Sequence, residues 1–204
     1  MFTELTALMQ SLSHPAARAM AEAYLSDVEL MENMRVAPAA MQIHHAWIGG
    51  LLEHTLQLVK LADAMLPNYP RLNRDIVLLG LFIHDLGKTK ELRWDRGFEY
   101  TREGNLIGHI ARGAMWLEQK AVDAEGRLGE SLPDGFLAVL QHIVLSHHGQ
   151  LEHGAAKLPA TPEAIFVSQL DTLDAHTQTA LDLARPTQGS VGGDESFTER
   201  IWSL

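Results

Sequence analysis

Apolar residues recur at helical spacing along most of the chain, and glycine or proline separates the windows that carry them. The first window covers about residues 3–34 and breaks at Ser13, His14 and Pro15. Further helices are predicted over about residues 51–65, 73–85, 103–124, 134–147 and 162–184. Residues 92–102 predict a short hairpin that turns at Asp95, Arg96 and Gly97. Strand signals are otherwise weak, so the pattern predicts an all-α fold.

The helix predicted near residues 73–85 is apolar on almost every face, from Ile76 to Ile83. A helix of this kind is buried in the centre of a domain. It ends at His84 and Asp85, just before Gly87, a residue type that often terminates helices. An imidazole and a carboxylate beside a buried helix are costly unless a partner satisfies them. Either the two side chains reach solvent at the helix end, or a metal ion binds them.

The pattern divides the chain into three parts. Residues 1–40 are predicted to form an N-terminal helical segment that packs on, or links to, the part that follows. Residues 41–184 hold the main helical domain. Residues 185–204 begin rich in proline, glycine and serine, which predicts a loose tail with a short arm from Phe197 to Trp202.

Composition narrows the function classes. The length of 204 residues and the apolar fraction of 46% suit one globular domain. The absence of cysteine excludes disulfide scaffolds, thiolate zinc sites and cysteine nucleophiles. No signal peptide or membrane span is evident, so we expect a cytoplasmic protein without a membrane partner. The oligomeric state stays open, with a homo-oligomer as one alternative.

The net charge of −10 gives the chain no general attraction for a phosphate backbone. A nucleic-acid substrate would need a local positive site, and bound metal cations could create one. Histidine is the unusual residue, with 11 copies. His14, His142, His153 and His176 are expected to be structural or surface residues.

Other histidines and aspartates lie in apolar settings on different predicted helices. They are His54, His84, Asp85, His109, His147 and His148, together with Asp171 and Asp174, which share one helix face at i, i+3. One buried histidine is usually a satisfied core residue. Several, on different helices, are satisfied together most readily around shared metal ions. The pattern therefore favours a metal site, with core packing as the alternative for each histidine taken singly.

The order of these residues resembles the HD-domain metal-dependent phosphohydrolase superfamily, in its longer version with two-metal sites. Several stretches are similar to the YhaM-type 3′-5′ exoribonucleases. They are His44 and His45 with residues 49–55, then residues 84–88, 100–110, 145–149 and 171–175, and finally Phe197 to Ile201. Members of that family carry an N-terminal OB-fold domain, which this sequence lacks. We therefore expect either a fragment of a longer protein or a stand-alone HD protein with another substrate.

The resemblance implies an HD-domain helical bundle with a metal site between its central helices. It implies two divalent ions per chain, Mn²⁺ or Fe²⁺, with Zn²⁺, Ni²⁺ and Mg²⁺ as alternatives. The implied ligands are His54, His84, Asp85, His109, His147, His148 and Asp171. Asp85 would bridge the two ions, and Asp174 would orient a ligand.

The candidate catalytic residues are Asp85, Lys88 and His45, and the candidate substrate-binding residues are His44, His45, Lys88, Arg102 and Lys157. Lys88 follows the Gly87 turn, so its ammonium could hold a phosphate oxygen, or it could be an ordinary surface lysine. His44 and His45 could contact phosphate or donate a proton, or they could pack a loop. Arg102 and Lys157 could line a substrate groove.

The leading hypothesis is a metal-dependent phosphohydrolase that cleaves phosphodiester bonds of single-stranded nucleic acid with metal-activated water, in the manner of a 3′-5′ exoribonuclease. One alternative is a small-nucleotide phosphohydrolase that acts on nucleoside monophosphates or cyclic nucleotides. Another is a non-catalytic signalling HD module that uses its helical shell as a binding surface. All seven candidate ligand positions are intact, which disfavours the last alternative.

Overall fold

The computed structural model describes residues 1–40, 47–94 and 97–183. Those residues form ten α-helices, two short 3₁₀ helices and one two-stranded antiparallel sheet, so the predicted all-α fold is confirmed. The helices are α1 Phe2–Gln10, α2 Pro15–Leu25, α3 Val28–Val36, α4 Gly50–Met65, α5 Arg74–Ile83, α6 Lys88–Glu91, α7 Arg102–Leu106, α8 Gly108–Leu128, α9 Phe136–Ser146 and α10 Pro162–Leu183. The 3₁₀ helices are Leu66–Asn68 and Leu151–His153, and the strands are β1 Leu92–Arg93 and β2 Glu99–Tyr100.

Two helix boundaries differ from the sequence prediction because local caps interrupt the apolar periodicity. The first window breaks as predicted before Pro15, but it breaks again before α3, where the Asp27 side chain accepts a hydrogen bond from the Leu30 N–H. The helix predicted over 103–124 is two helices. Gly108, with φ of +75°, separates α7 from α8 in a conformation that favours glycine.

The predicted hairpin is present, with Leu92 opposite Tyr100 and Arg93 opposite Glu99. Its predicted turn residues Asp95 and Arg96 lie outside the described residues, as do His44 and His45 and the whole predicted tail, residues 185–204.

Helix α5 occupies the centre of the fold, as its all-round apolar sequence predicts. Its residues from Asp75 to Ile83 are all buried, and it packs against α2, α4, α9 and α10. Because α5 ends at His84, the buried centre of the domain leads directly into the first candidate functional residues.

The three N-terminal helices share the apolar core of the rest of the domain. Leu5, Met20 and Met34 are fully buried in the same cluster as Leu51 and Leu79. Asp75, at the start of α5, accepts hydrogen bonds from the backbone N–H groups of Ser13 and His14 at 2.8 and 2.6 Å. These bonds join the start of α2 to the central helix. The boundary predicted at residue 40 stays a prediction.

Close packing brings the start of α8 against the corner that follows α5. A Cβ atom on Gly87 would overlap the backbone oxygen of His109, so only glycine fits there.

Among the helices of the described residues, none combines the length and the apolar character needed to cross a membrane.

Candidate metal centre

One group of side chains joins the middle of α4, the end of α5 and α10. We call His54, His84 and Asp171 the first histidine group. The Oδ1 atom of Asp171 lies 3.1 Å from Nε2 of His54 and 3.8 Å from Nε2 of His84. Both histidines are buried, and the Asp171 side chain is 16% exposed. Three separate helices thus deliver ligand-type atoms to one point.

A second group joins the start of α8 to the end of α9. We call His109, His147 and His148 the second histidine group. The Nε2 atoms of His109 and His148 are 3.3 Å apart, and the rings of His147 and His148 have centroids separated by 4.4 Å. Ring nitrogens of all three residues lie within 4.8 Å of one another.

Asp85 lies between the two groups and directs one oxygen at each. Its Oδ2 atom is 3.4 Å from Nε2 of His84 and 3.8 Å from Nε2 of His54. Its Oδ1 atom is 3.5 Å from Nε2 of His147 and 3.6 Å from Nε2 of His109. Burial alone would raise the pKa of Asp85, but the charges of Lys88 and His84 hold it well below its usual value. The carboxylate is therefore ionised.

The histidine rings are all held from the outside by their Nδ1 atoms. Those of His84, His147 and His148 donate to the backbone oxygens of Leu81, Val144 and His153, and those of His54 and His109 donate to Asp174 and Glu91, all at 2.7–2.9 Å. An oxygen acceptor at Nδ1 favours the tautomer with its proton there, so each of these rings presents its Nε2 lone pair to the interior whenever the ring is neutral.

Buried atoms in the interior of this arrangement lack partners. The Nε2 atoms of His84 and His147 and the Oδ1 atom of Asp85 have no hydrogen-bond partner within the described residues. Unsatisfied buried polar atoms are costly, and these three point at the space between the two groups. Imidazole nitrogens with carboxylate oxygens form a donor set that suits Mn²⁺, Fe²⁺ or Zn²⁺. The residues therefore fit a divalent metal.

Lys88 lies at the edge of this centre. Its Nζ atom donates to Oδ2 of Asp85 at 2.6 Å, and its side chain is 14% exposed. Burial would lower the pKa of Lys88, but the Asp85 carboxylate raises it above the ordinary value, so the ammonium stays charged. Lys88 is therefore not the ordinary surface lysine that the sequence left open as an alternative.

Asp174 contacts a candidate ligand, and the orienting role that the resemblance implies for it stays a prediction. Its Oδ2 atom accepts from Nδ1 of His54 at 2.9 Å, and its Oδ1 atom accepts from Nε2 of Gln57 at 2.6 Å. Burial lowers the pKa of His54, but hydrogen bonds with Asp171 and Asp174 outweigh that effect and raise it to about 9. Asp171 itself has a lowered pKa, because the His54 hydrogen bond outweighs burial.

Glu91 contacts His109 in the same way, and no motif in the sequence pointed to this residue. Its Oε2 atom accepts from Nδ1 of His109 at 2.8 Å, while Oε1 accepts from the His109 backbone N–H at 3.1 Å. Burial would raise the pKa of Glu91, but His109 lowers it. The residue ends a short polar stretch, Lys88 to Glu91, which is typical of a solvated turn.

A cavity of about 690 Å³ opens beside the centre. His54, Lys88, His148 and Asp171 form part of its wall. The prediction that Arg102 and Lys157 line the substrate groove finds no support here, because both are exposed and neither borders this cavity. Arg102 begins α7, and Lys157 follows the second 3₁₀ helix.

The four histidines set aside as structural or surface residues have different positions. His14 caps α2 through Nδ1, which accepts from the Ala16 N–H at 3.2 Å. His142 accepts from the Ala160 N–H at 2.8 Å through Nε2. His153 and His176, however, are part of the cavity wall, on the loop after α9 and on α10. Linear spacing could not place them there, because the loop folds back toward α10.

Comparison with known proteins relates the chain to one family and to a group of named relatives. The model of the HD domain family matches residues 51–176. The chain is 40% identical over 170 residues to the 3′-5′ exoribonuclease YhaM of Geobacillus sp., covering 82% of this chain and 48% of that protein. It is 37% identical to the proteins of the same name from Bacillus subtilis and Listeria welshimeri, covering 82% of this chain and 50% of each. The chain thus spans about half the length of these curated relatives. No solved structure was found to match it.

Proposed function

Because the chain belongs to the HD-domain family, we propose that it is a metal-dependent phosphohydrolase that cleaves phosphodiester bonds, acting as a 3′-5′ exoribonuclease on single-stranded RNA. One observation carries the proposal: a buried, ionised carboxylate, Asp85, directs its two oxygens at two separate groups of histidines. The names of the relatives support the choice of substrate.

Two divalent ions would be held on either side of Asp85. The first histidine group would hold one with Oδ2 of Asp85, and the second histidine group would hold the other with Oδ1. When bound, such ions supply positive charge to the phosphate and water of lowered pKa. Asp174 and Glu91 would keep the rings of His54 and His109 in the orientation that binds metal.

Lys88 would bind the substrate phosphate. Its ammonium lies against Asp85 and also borders the cavity, so it stands where the centre meets the substrate space. A charged N–H donor to a phosphate oxygen is a strong hydrogen bond, and partial burial strengthens it further. Asp171 borders the same cavity, so the first histidine group would lie next to the space for the substrate phosphate.

The cavity volume supports action at the end of a strand. About 690 Å³ falls within the range of about 300–1,000 Å³ that is typical of small-molecule sites. A site of this size admits a single terminal nucleotide. The strand itself would lie outside the cavity.

A second candidate is hydrolysis of small nucleotides, such as nucleoside monophosphates or cyclic nucleotides. The observation that favours it is the same cavity, in a chain of net charge −10 whose described residues offer one lysine and no arginine to the cavity wall. Such a wall gives little attraction to a long phosphate backbone.

The test is a gel time course of 5′-labelled single-stranded RNA with Mn²⁺. We expect products that shorten progressively in the wild type and intact RNA with Asp85→Ala. Asp123→Ala is the matched control, because Asp123 is exposed on α8 and away from the centre. Intact RNA in the wild type, with release of phosphate from a mononucleotide or opening of a cyclic nucleotide, would replace the leading proposal by the second. If neither the wild type nor the Asp123→Ala control bound stoichiometric metal, both proposed functions would be contradicted.

A further inference from the structure

The cavity beside the metal centre has a second wall that belongs to no candidate metal ligand. It comprises polar side chains on the loop after α9 and on α10, namely Gln150, His153, Gln169, Thr172, His176 and Thr179. Gln150, Gln169 and both histidines are exposed, so they form the rim of the cavity. We call Gln150, His153, Gln169 and His176 the cavity rim.

The chemistry of this wall differs from that of the centre. Among the described residues that border the cavity outside the centre, none is Asp, Glu, Lys or Arg. The wall therefore gives no Coulombic attraction to a series of phosphates. What it offers is amides, hydroxyls and imidazoles. These groups hydrogen-bond to sugar hydroxyls and base edges, and imidazole rings also stack on bases.

The rim is also fixed in position relative to the centre. The backbone oxygen of His153 accepts the Nδ1 hydrogen bond of His148 at 2.7 Å, so the loop that carries one rim histidine also orients a member of the second histidine group. Two backbone bonds, from Ala155 to Gln150 and from Ala156 to Leu145, close that loop. His176 lies on α10, five residues after Asp171.

From this placement we infer that the cavity rim binds the sugar and base of the terminal nucleotide while its phosphate lies against the Lys88 ammonium. The inference rests on the proposed function and names the part of the substrate that this wall recognises. His153 and His176 are then specificity-determining residues, because they act on the nucleoside and not on the phosphate.

Two substrates distinguish recognition by the cavity rim from catalysis at the metal centre. One is a short single-stranded RNA, and the other is bis(p-nitrophenyl) phosphate, a phosphodiester with neither sugar nor base. For the double variant His153→Ala with His176→Ala, we expect KM for RNA to rise about tenfold at unchanged kcat. Hydrolysis of bis(p-nitrophenyl) phosphate should be unchanged. The matched controls are Glu152→Ala and Thr177→Ala, which alter exposed neighbours of the two histidines outside the cavity wall.

An RNA that ends in an abasic nucleotide sharpens the test. If the rim binds the terminal base, the abasic end should raise KM for the wild type and have little further effect on the double variant. Additive effects would refute the inference, as would an unchanged KM for RNA or an equal loss of kcat on both substrates.

Failure of the proposed function would look different, because the wild type would then hydrolyse neither substrate. In that case equilibrium dialysis of adenosine 5′-monophosphate against Mn²⁺-loaded protein tests the rim directly. Equal binding by the wild type and the double variant would overturn the inference, and a loss in the double variant would support it.

Discussion

The two histidine groups on either side of Asp85 are similar in outline but different in charge. The first contains a carboxylate of its own, Asp171, and the Asp174 carboxylate holds one of its rings. The second consists of three imidazoles, two of which are held by backbone oxygens. Burial and the neighbouring His147 lower the pKa of His148 to about 4, so that ring is neutral at pH 7. A divalent ion would displace the proton that His54 carries at pH 7, and the first group then offers the Asp171 carboxylate where the second offers a third imidazole. Because a carboxylate attracts a divalent cation more strongly than a neutral ring does, we expect a tight first ion and a weaker second ion.

Removal of the Asp85 carboxylate should disable both histidine groups at once, and it is the change with the largest expected effect. Asp85→Ala takes one oxygen from each group and leaves the Lys88 ammonium without its carboxylate. We expect loss of both ions, measured by elemental analysis after gel filtration, and a fall in kcat/KM of at least about 10³-fold. Two ions retained by this variant would show that Asp85 does not connect the groups.

Substitution of a single ligand in each histidine group should weaken the binding of one ion and leave the other ion bound. A chelator titration of the wild type should release metal in two steps. His148→Ala should weaken or remove only the weak step, and His54→Ala only the tight step, because each ring belongs to one group. Each variant should lower activity by about 10²-fold or more. Loss of both ions in either variant would mean that the groups form one indivisible site.

A glycine contact should affect the second group more than the first. Gly87→Ala would force a methyl group against the backbone oxygen of His109. We expect urea unfolding to show a loss of about 1–3 kcal/mol, with a larger loss of affinity for the second ion than for the first. The control is Gly126→Ala in α8, where a Cβ meets no atom within 4 Å and a helix-favouring residue should be neutral or stabilising by up to about 1 kcal/mol. An equal loss of stability in Gly87→Ala and Gly126→Ala would show that the contact between Gly87 and the His109 backbone is not the cause.

The outer carboxylates should give the smallest effects and the sharpest comparison. Glu91→Gln and Asp174→Asn each keep the size of the side chain but weaken the hydrogen bond to His109 or His54. We expect metal affinity to fall about 10- to 100-fold, at the weak step for Glu91→Gln and at the tight step for Asp174→Asn. A calorimetric titration with Mn²⁺ distinguishes the steps. Equal effects of both variants on one step would contradict the assignment of one carboxylate to each group.

The sequence predicted those parts of the fold that depend on local periodicity and on terminators. The all-round apolar run of α5 placed that helix in the core, and Pro15 marked the first break. The second break, before α3, depends on the Asp27 side chain turning back to the Leu30 N–H, a choice that the apolar pattern does not encode. The separation of α7 from α8 likewise depends on the backbone conformation of Gly108.

The candidate site was predictable where a residue stood out against apolar neighbours. His54, His84 and His147 are buried polar residues in hydrophobic helices, and such residues need an explanation wherever they occur. Glu91, His153 and His176 have polar neighbours in the sequence, so their positions beside the centre follow only from tertiary contacts. Arg102 and Lys157 are the reverse case, because a basic side chain alone carries no information about which face it occupies.

The bonds from Ser13 and His14 to Asp75 have a consequence for where a folding unit begins. The family match starts at residue 51, yet the helix that leads to His84 and Asp85 has its opposite end bonded to a turn 61–62 residues earlier in the chain. A fragment cut to residues 51–176 would strip a buried carboxylate of two donors and expose the faces that α1–α3 cover. The segment that the family model matches is therefore smaller than the unit that folds, and a minimal active fragment should keep its first three helices.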